Sequence, residues 1–331
     1  MGLLFATPDA ALGVWLSLVP ALALAIDRSL GEPPARWHPV VWMGHYLTWA
    51  GARCAPRADA PPPGRDGRAF WRGALAWCVG AAIVGVVAWQ MQAWLLRLPG
   101  WAAVLLLALL LKPLLAWALL HDEVLAVQQA LAQSLADGRA RLARLVSREV
   151  DALTEAQVRE SAIESLAENL NDSLVAPLFW FALLGLPGAA LFRFANTADA
   201  MWGYRGTRVL GGVARDWRRA GTWAARVDDV LAWLPARITA ALIALLGAMQ
   251  GWRHLPGEAR RTPSPNSGWP MAAMALVLGV RLGKPGVYTL GEGGREATPR
   301  DLLRACRIGS RVALAATLLA CAALMGQAAP W

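Results

Sequence analysis

Long apolar runs separated by polar stretches organise this chain of 331 residues. A helix needs about 20 mostly apolar residues to cross a hydrocarbon core. Four runs meet or approach that length: Ala11–Ile26, whose start can be set a few residues earlier, Phe70–Leu96, Trp101–Leu120 and Val312–Ala329. Trp71, Trp94, Trp101 and Trp117 fall near the ends of two of them, as an aromatic belt requires. Lys112-Pro113 interrupts the third run, and a lysine at mid-depth is costly unless it snorkels or faces a polar interior.

Two further runs are ambiguous. Leu174–Phe194 has the length but contains Pro177 and Pro187-Gly188, and Val230–Gln250 contains Pro235 and Arg237 near its start. Each can span, re-enter or lie in the interface. The expected class is therefore an all-α, multi-span integral membrane protein with amphipathic helices and, at these two runs, re-entry as an open alternative. The whole chain, 1–331, reads as one membrane-embedded domain without internal repeats. A flexible linker is expected near 54–69, around Pro61-Pro62-Pro63-Gly64.

Composition supports the class. The chain is 56% hydrophobic and 17% charged, against roughly 25% charged in a soluble domain. The net charge of +9 comes almost wholly from arginine, since Lys112 and Lys284 are the only lysines. Those arginines are scattered over several loops, which suits anionic headgroups and not a nucleic acid. The polar segments 27–69, 121–173, 195–229 and 251–310 each carry five or more basic residues, so charge alone does not orient the chain. Cys54, Cys78, Cys306 and Cys321 form no CxxC and no zinc-spaced cluster. No positive n-region precedes the first apolar stretch, so a cleaved signal peptide is not expected.

Candidate chemistry concentrates between Ser147 and Asp172. Thr154 with Gln157 forms a capping box and predicts a helix start. At about 100° per residue, Val158, Ala162, Ile163, Leu166 and Leu170 share one arc, and Glu160, Glu164, Glu168, Asn171 and Asp172 share the opposite one. Carboxylates stacked at i, i+4 and i+8 repel one another, and only Arg159 interleaves. Such a face needs cations, and Mg²⁺ with a phosphate-bearing substrate is one source. Other polar clusters lie at the ends of apolar runs, at Asp27, Glu32 and His38, at His121-Asp122-Glu123, at Asn196 to Tyr204, and at Arg226, Asp228 and Asp229. There is no GxxxxGK[ST] loop and no HExxH. From the residues alone, a metal-dependent enzyme and a transporter stay equally open.

The ordered motifs, however, resemble a known family. Glu160-Ser-Ala-Ile-Glu164-Ser-Leu-Ala-Glu168-Asn169-Leu-Asn-Asp172 continues through Pro177. Gly31-Glu32-Pro33 and His38-Pro39-Val40 precede it. Asn196-Thr197-Ala-Asp199-Ala-Met201-Trp-Gly203-Tyr204, Ala225-Arg226-Val-Asp228-Asp229, Leu234-Pro235-Ala236-Arg237, Ser264-Pro265-Asn266 and Gly279 to Tyr288 follow in order. From about residue 20 to 290 the series resembles the CobD/CbiB family, adenosylcobinamide-phosphate synthase.

The resemblance implies an enzyme of cobalamin biosynthesis: a ligase joining adenosylcobyric acid to (R)-1-amino-2-propanol O-phosphate, or to ethanolamine or its phosphate, with ATP and Mg²⁺. Glu164, Glu168 and Asp172, with Asp228 and Asp229, are then expected to hold metal. Asp199 is a further ligand or base, and His38 a proton acceptor. Arg148, Arg226 and Arg237 suit phosphate oxygens. Asn169, Asn196, Tyr204, Ser264 and Asn266 are expected to bind or orient substrate. Implied partners are the corrinoid, the amino alcohol, the bilayer and other late enzymes of the pathway. The implied place is the bacterial inner membrane, with the active site facing the cytoplasm. For the motif loops to share that side, at least one of the two ambiguous runs must fail to cross simply. The alternatives are an AmpE-like membrane regulatory protein and a cation-coupled transporter.

Overall fold

The computed structural model describes residues 10–59 and 67–328. Thirteen α-helices are found among them. In chain order they are α1 (Ala10–Leu16), α2 (Val19–Leu30), α3 (Pro39–Cys54), α4 (Arg68–Leu95), α5 (Gly100–Leu111), α6 (Trp117–Leu131) and α7 (Leu135–Leu142). Then come α8 (Glu155–Leu170), α9 (Ala176–Trp202), α10 (Thr222–Leu246), α11 (Leu255–Ala259), α12 (Gly268–Leu278) and α13 (Pro299–Ala328). Two antiparallel hairpins, β1 (Thr207–Leu210) with β2 (Val213–Asp216) and β3 (Leu282–Lys284) with β4 (Tyr288–Leu290), are the only sheets described. Among the described residues, six helical stretches are long and apolar enough to cross a membrane, beginning at Leu12, Arg68, Gly100, Glu155, Thr222 and Pro299. The chain is an all-α, multi-pass membrane protein.

Helices α4 and α8 show the two environments this fold uses. On α4, Leu75, Val79, Ile83, Val86 and Val87 are exposed, which is favourable where the solvent is lipid. Trp71 at one end and Trp94 at the other stand out from the surface. They are 23 residues apart, so about 35 Å of helix separates them, close to one hydrocarbon thickness. Trp101 is likewise exposed, but Trp117 is buried and packs beside Gly309, so it does not belong to the belt. Helix α8, in contrast, is surrounded by α6, α7, α12 and α13. The capping box forms as the sequence predicts: Gln157 N–H donates to Thr154 Oγ1 at 3.3 Å, and Thr154 N–H to Gln157 Oε1 at 2.9 Å. Beyond it the apolar arc is buried, and on the polar arc Glu160 and Glu164 are buried while Glu168 is half-buried.

The run Leu174–Phe194 is the decisive element. After α8 the chain makes a π-helical turn over Asn171–Val175 and enters α9. Within α9, Gly185 leaves helical geometry at φ 67° and ψ −156°, with Pro187 just beyond. A side chain is strained at this φ, so glycine suits the reversal. The two arms then lie against each other. A Cβ on Gly188 would meet the carbonyl oxygen of Trp180 at 2.4 Å. Asn196 reaches Asp172 at 3.1 Å, although a straight helix would separate them by about 36 Å. The run enters and returns on the same side.

Its apex is satisfied from outside. Leu186 N–H donates to Oε1 of Gln92, near the end of α4, at 2.7 Å. The amide of Gln327 donates to Ala182 O at 2.9 Å. Inside lipid these groups have no water to turn to.

Three further boundaries depart from the sequence reading. The run Trp101–Leu120 is broken: α5 ends at Leu111, a 3-10 turn covers Lys112–Leu114, and Ala116 N–H donates to Ser173 O in the π-turn at 3.0 Å. The clusters at Asn196–Asp199 and Arg226–Asp229 lie on α9 and α10 themselves, not beyond their ends. Finally, the flanks of the expected linker are ordered. Ala58 N–H donates to Ala214 O, and Asp216 N–H to Pro56 O, both at 2.9 Å. The Pro61–Gly64 core and Ala329 lie outside the described residues.

Candidate functional site

The returning arm of α9 brings its polar end to the π-turn. Asn171 Nδ2 donates to Asp172 Oδ1 at 2.8 Å, and Asn196 Nδ2 donates to Asp172 Oδ2 at 3.1 Å. Arg193 Nη1 donates to the backbone carbonyl of Asp172 at 3.2 Å. Asp172 is thus held by two amides and stays half-buried. Helix α10 crosses the same place. Asp228 lies within electrostatic reach of Asp172, Asp199 and Asp229, and Thr239 Oγ1 donates to Asn171 Oδ1 at 3.0 Å. Trp180 Nε1 on the entering arm donates to Leu231 O at 3.1 Å, locking α10 onto the hairpin. Glu168, one turn before Asp172, is half-buried and within reach of Asp172, Glu164, Arg148 and Lys284.

The acidic face of α8 is not a uniform stack. Glu164 is paired with Arg148 at 2.9 Å, and Arg148 also donates to Ser161 Oγ and to Gly283 O. Glu160 faces Arg281 at 3.8 Å. Cations supplied by distant segments therefore relieve the repulsion at 160 and 164, and metal is not required for that. The β3–β4 hairpin supplies much of this relief. Lys284, the last residue of β3, lies within electrostatic reach of Glu164 and Glu168, and Tyr288 places its hydroxyl against Glu164. Burial first, then the Glu164 charge, raises the Tyr288 hydroxyl well above its ordinary range, so it stays protonated. Glu168 and Asp228 form no ion pair among the described residues. Asp228 Oδ1 is buried without a hydrogen-bond donor there.

Beneath Arg193 lies a second charged group. Lys112 Nζ is 2.8 Å from Glu32 and 3.6 Å from Asp27, and it is buried. Ala118 N–H donates to Asp27 Oδ2 at 2.8 Å. The lysine that interrupts the third run thus faces a polar interior. His38 joins this group as a fixed element: its Nδ1 accepts from Val40 N–H at 3.3 Å, and its Nε2 donates to Glu32 at 3.2 Å. With both nitrogens engaged, His38 caps α3 and ties it to Glu32.

The remaining expected residues divide. Arg237 stacks between Trp233 and Trp269 and donates to Asn266 Oδ1 at 2.7 Å and to Pro265 O at 3.0 Å. Asn266 donates in turn to Asp229 O at 2.7 Å, and Ser264 Oγ accepts from Asn266 and Ser267 N–H. These three form a clamp that holds α10 to the start of α12. Asn169 turns back onto Ser165 O at 2.9 Å. Tyr204 carries Arg208 over its ring, and Arg226 is exposed on α10. Neither reaches the carboxylates through a described contact. Residues missing from the expected set are Arg193, Lys284, Tyr288 and Glu32. Arg193 had a signal, since an arginine inside an apolar run needs a partner.

The cleft fits a hard divalent cation in donor chemistry. It offers carboxylate oxygens from Glu168, Asp172 and Asp228, one of them buried without a donor. No group of three His, Cys, Asp or Glu among the described residues is arranged to hold a metal unaided. Mg²⁺ is commonly held by one or two carboxylates together with substrate phosphates, so the residues present suit it.

Together these features define a polytopic membrane protein with a charged cleft at the mouth of a re-entrant hairpin. The family described as CobD/Cbib protein matches residues 20–309, and the chain belongs to that family. It is 41% identical over 319 residues to the cobalamin biosynthesis protein CobD of Chromobacterium violaceum, covering 92% of this chain and 96% of that protein. It is 37% identical over 318 residues to the probable cobalamin biosynthesis protein CobD of Methanothermobacter thermautotrophicus, with the same coverage. It is 40% identical over 294 residues to the corresponding Thermococcus kodakarensis protein, covering 88% and 90%. No solved structure matches. The chain is a membrane protein of cobalamin biosynthesis.

Proposed function

We propose that the chain is an ATP-dependent amide ligase that joins the free carboxylate of adenosylcobyric acid to an amino alcohol or its phosphate. The observation that carries this reading is the convergence of the half-buried carboxylates Glu168, Asp172, Asp199 and Asp228, linked by electrostatic proximity, with Lys284 and Arg148 beside Glu168. A carboxylate is a poor acylating agent because its leaving group would be oxide. Transfer of a phosphoryl group to it gives an acyl phosphate, from which phosphate departs as a neutral amine attacks.

The residues suit those tasks. Lys284 and Arg148, both within electrostatic reach of Glu168, carry the charge that would meet phosphate oxygens. Glu168, Asp172 and Asp228 would hold Mg²⁺, which supplies charge neutralisation for the phosphates. Asp199, on the same face as Asp228 and Asp172, is the carboxylate best placed to take the proton from the attacking amine. Asn196 and Asn171 fix Asp172 and so set the cleft's geometry.

The cleft side is read as cytoplasmic. Segments on that side carry Arg57, Arg68, Arg72, Arg205, Arg208, Arg215, Arg218 and Arg219, whereas Arg97 is the charge between α4 and α5 at the apex side. Basic residues favour the cytoplasmic loops. Detergent-purified protein with adenosylcobyric acid, aminopropanol phosphate and Mg-ATP tests the proposal. Amide product that depends on ATP is expected; product formed equally well without any nucleotide would overturn the activation chemistry.

A further inference from the structure

The Asp172 carboxylate is held in place without a cation bonded to it. Its oxygens accept from two neutral amides, those of Asn171 and Asn196. Arg193 donates from Nη1 to the backbone carbonyl of Asp172 and forms no ion pair among the described residues. The next carbonyl, Ser173 O, accepts from Ala116 N–H, just beyond the 3-10 turn that contains Lys112. The π-turn that presents Asp172 is therefore held from two places, the returning arm of α9 and the Lys112 turn.

Glu32 is the counter-charge common to both. Its Oε2 lies 2.8 Å from Lys112 Nζ, and Arg193 is within electrostatic reach of Glu32 as well as of Asp172. Neutralising Lys112 does not by itself require Glu32, because Asp27 is already 3.6 Å from the same ammonium. The charge balance accounts for the second carboxylate. Lys112 and Arg193 supply positive charge, Asp27 and Glu32 match it, and His38, with one nitrogen donating and the other accepting, supplies none. The group is balanced without Asp172. Glu32 Oε1 and Arg193 Nε are both buried without a hydrogen-bond partner among the described residues, and one accepts where the other donates. An arginine in an apolar run needs an anion. Without the Glu32 charge, the anion nearest to hand is the Asp172 carboxylate, whose backbone Arg193 already holds.

We infer that Glu32 is a positioning residue for the cleft, a role that rests on the reading of Asp172 as a metal-holding carboxylate. Acting through Lys112 and Arg193, it fixes the π-turn and keeps Arg193 off the Asp172 carboxylate, which stays available to a divalent cation.

The test uses the full chain in detergent, with Mn²⁺ as the probe and electron paramagnetic resonance as the readout. Glu32→Gln should weaken Mn²⁺ binding by about 10–100-fold, the scale for losing a group that orients a metal ligand. Glu32→Gln combined with Arg193→Gln leaves Lys112 balanced by Asp27 and should restore most of the lost affinity. A role that is only structural predicts a further loss, because the double variant gives up more contacts. A second arm needs no metal: carbodiimide coupling of glycine ethyl ester, read by mass spectrometry, reports how available the Asp172 carboxylate is. Labelling of Asp172 should fall in Glu32→Gln and return in the double variant. Absence of Mn²⁺ binding in the wild type would refute the metal reading of the cleft, and the labelling arm would then judge Glu32 alone. If Glu32→Gln does not insert, the charge-balanced double variant decides, and its failure to insert or to show labelled Asp172 would overturn the inference. Asp172 labelling unchanged in Glu32→Gln would also overturn it, as would a loss of Mn²⁺ binding that the double variant does not recover.

Discussion

The side-chain amide of Asn196 donates to Oδ2 of Asp172 at 3.1 Å, across 24 residues of chain. That contact makes 174–194 a hairpin and places Asp172, Asp199 and Asp228 in one cleft. In a background with the four native cysteines replaced by alanine, the pair Asp172→Cys and Asn196→Cys should oxidise readily to a disulfide. A crossing helix would leave them about 36 Å apart. Failure of the pair to cross-link, with Asp199→Cys labelled only from the face opposite Glu164→Cys, would refute the hairpin.

The hairpin apex depends on one amide. Gln92 satisfies the buried Leu186 N–H at 2.7 Å, and an unpaired donor there has no water to use. Gln92→Leu should lower stability by about 1–3 kcal/mol. Thermal unfolding in detergent, monitored by thiol-reactive dye, should show a clear drop in midpoint. Gln92→Glu, which keeps the acceptor, should lose less; equal losses in both would separate the effect from the hydrogen bond.

Carboxylates on one helix face should differ in what their removal does. Glu168 has no ion pair among the described residues, whereas Glu164 pairs with Arg148 in a buried setting. Glu168→Gln should cut amide synthesis by about a hundredfold or more while the protein stays folded, on the scale of lost electrostatic stabilisation in an active site. Glu164→Gln should lose activity and also stability, by about 1–3 kcal/mol, because Arg148 loses its ionised partner. This departs from the view, natural from sequence, that any charge removed from a crowded acidic face relieves strain. Unchanged turnover in Glu168→Gln at saturating Mg²⁺ would remove that residue from the site.

The buried group at Lys112 makes a further demand. Asp27 and Glu32 both rely on it. Lys112→Met leaves the buried Asp27 and the half-buried Glu32 without their cation and should cost about 3–5 kcal/mol. Adding Asp27→Asn and Glu32→Gln should recover part of that loss in unfolding experiments. If the triple variant is no more stable than Lys112→Met alone, the three residues are not energetically one group.

Much of this was legible in the sequence, for identifiable reasons. Apolar run length gave the membrane class, and the Thr154–Gln157 box gave the start of α8. Pro187 and the run's flanking polar motifs hinted at re-entry, but the turning residue, Gly185, is unremarkable in sequence. Its role appears only as a positive φ. The partners of the acidic face were not legible. Arg148 reaches Glu164 across 16 residues, and Arg281 approaches Glu160 from the far loop, so no local spacing reveals them. The contacts of His38 were not legible for a similar reason. That Glu32 and the Val40 N–H occupy both of its nitrogens appears only in the fold. The arginines, evenly spread along the sequence, sort by membrane side only after the hairpin sets which loops share a face.

The most direct test of the proposed chemistry follows oxygen. Adenosylcobyric acid labelled with oxygen-18 in its free carboxylate is incubated with the purified protein, aminopropanol phosphate and Mg-ATP. If the cleft builds an acyl phosphate, one labelled oxygen must leave with the phosphate when the amine attacks. Mass spectrometry should then find the label in inorganic phosphate, in equal amount to the amide product and with ADP as the other product. Label appearing in AMP would replace the acyl phosphate with an adenylate. Amide formed with no label in any released phosphate would contradict the account.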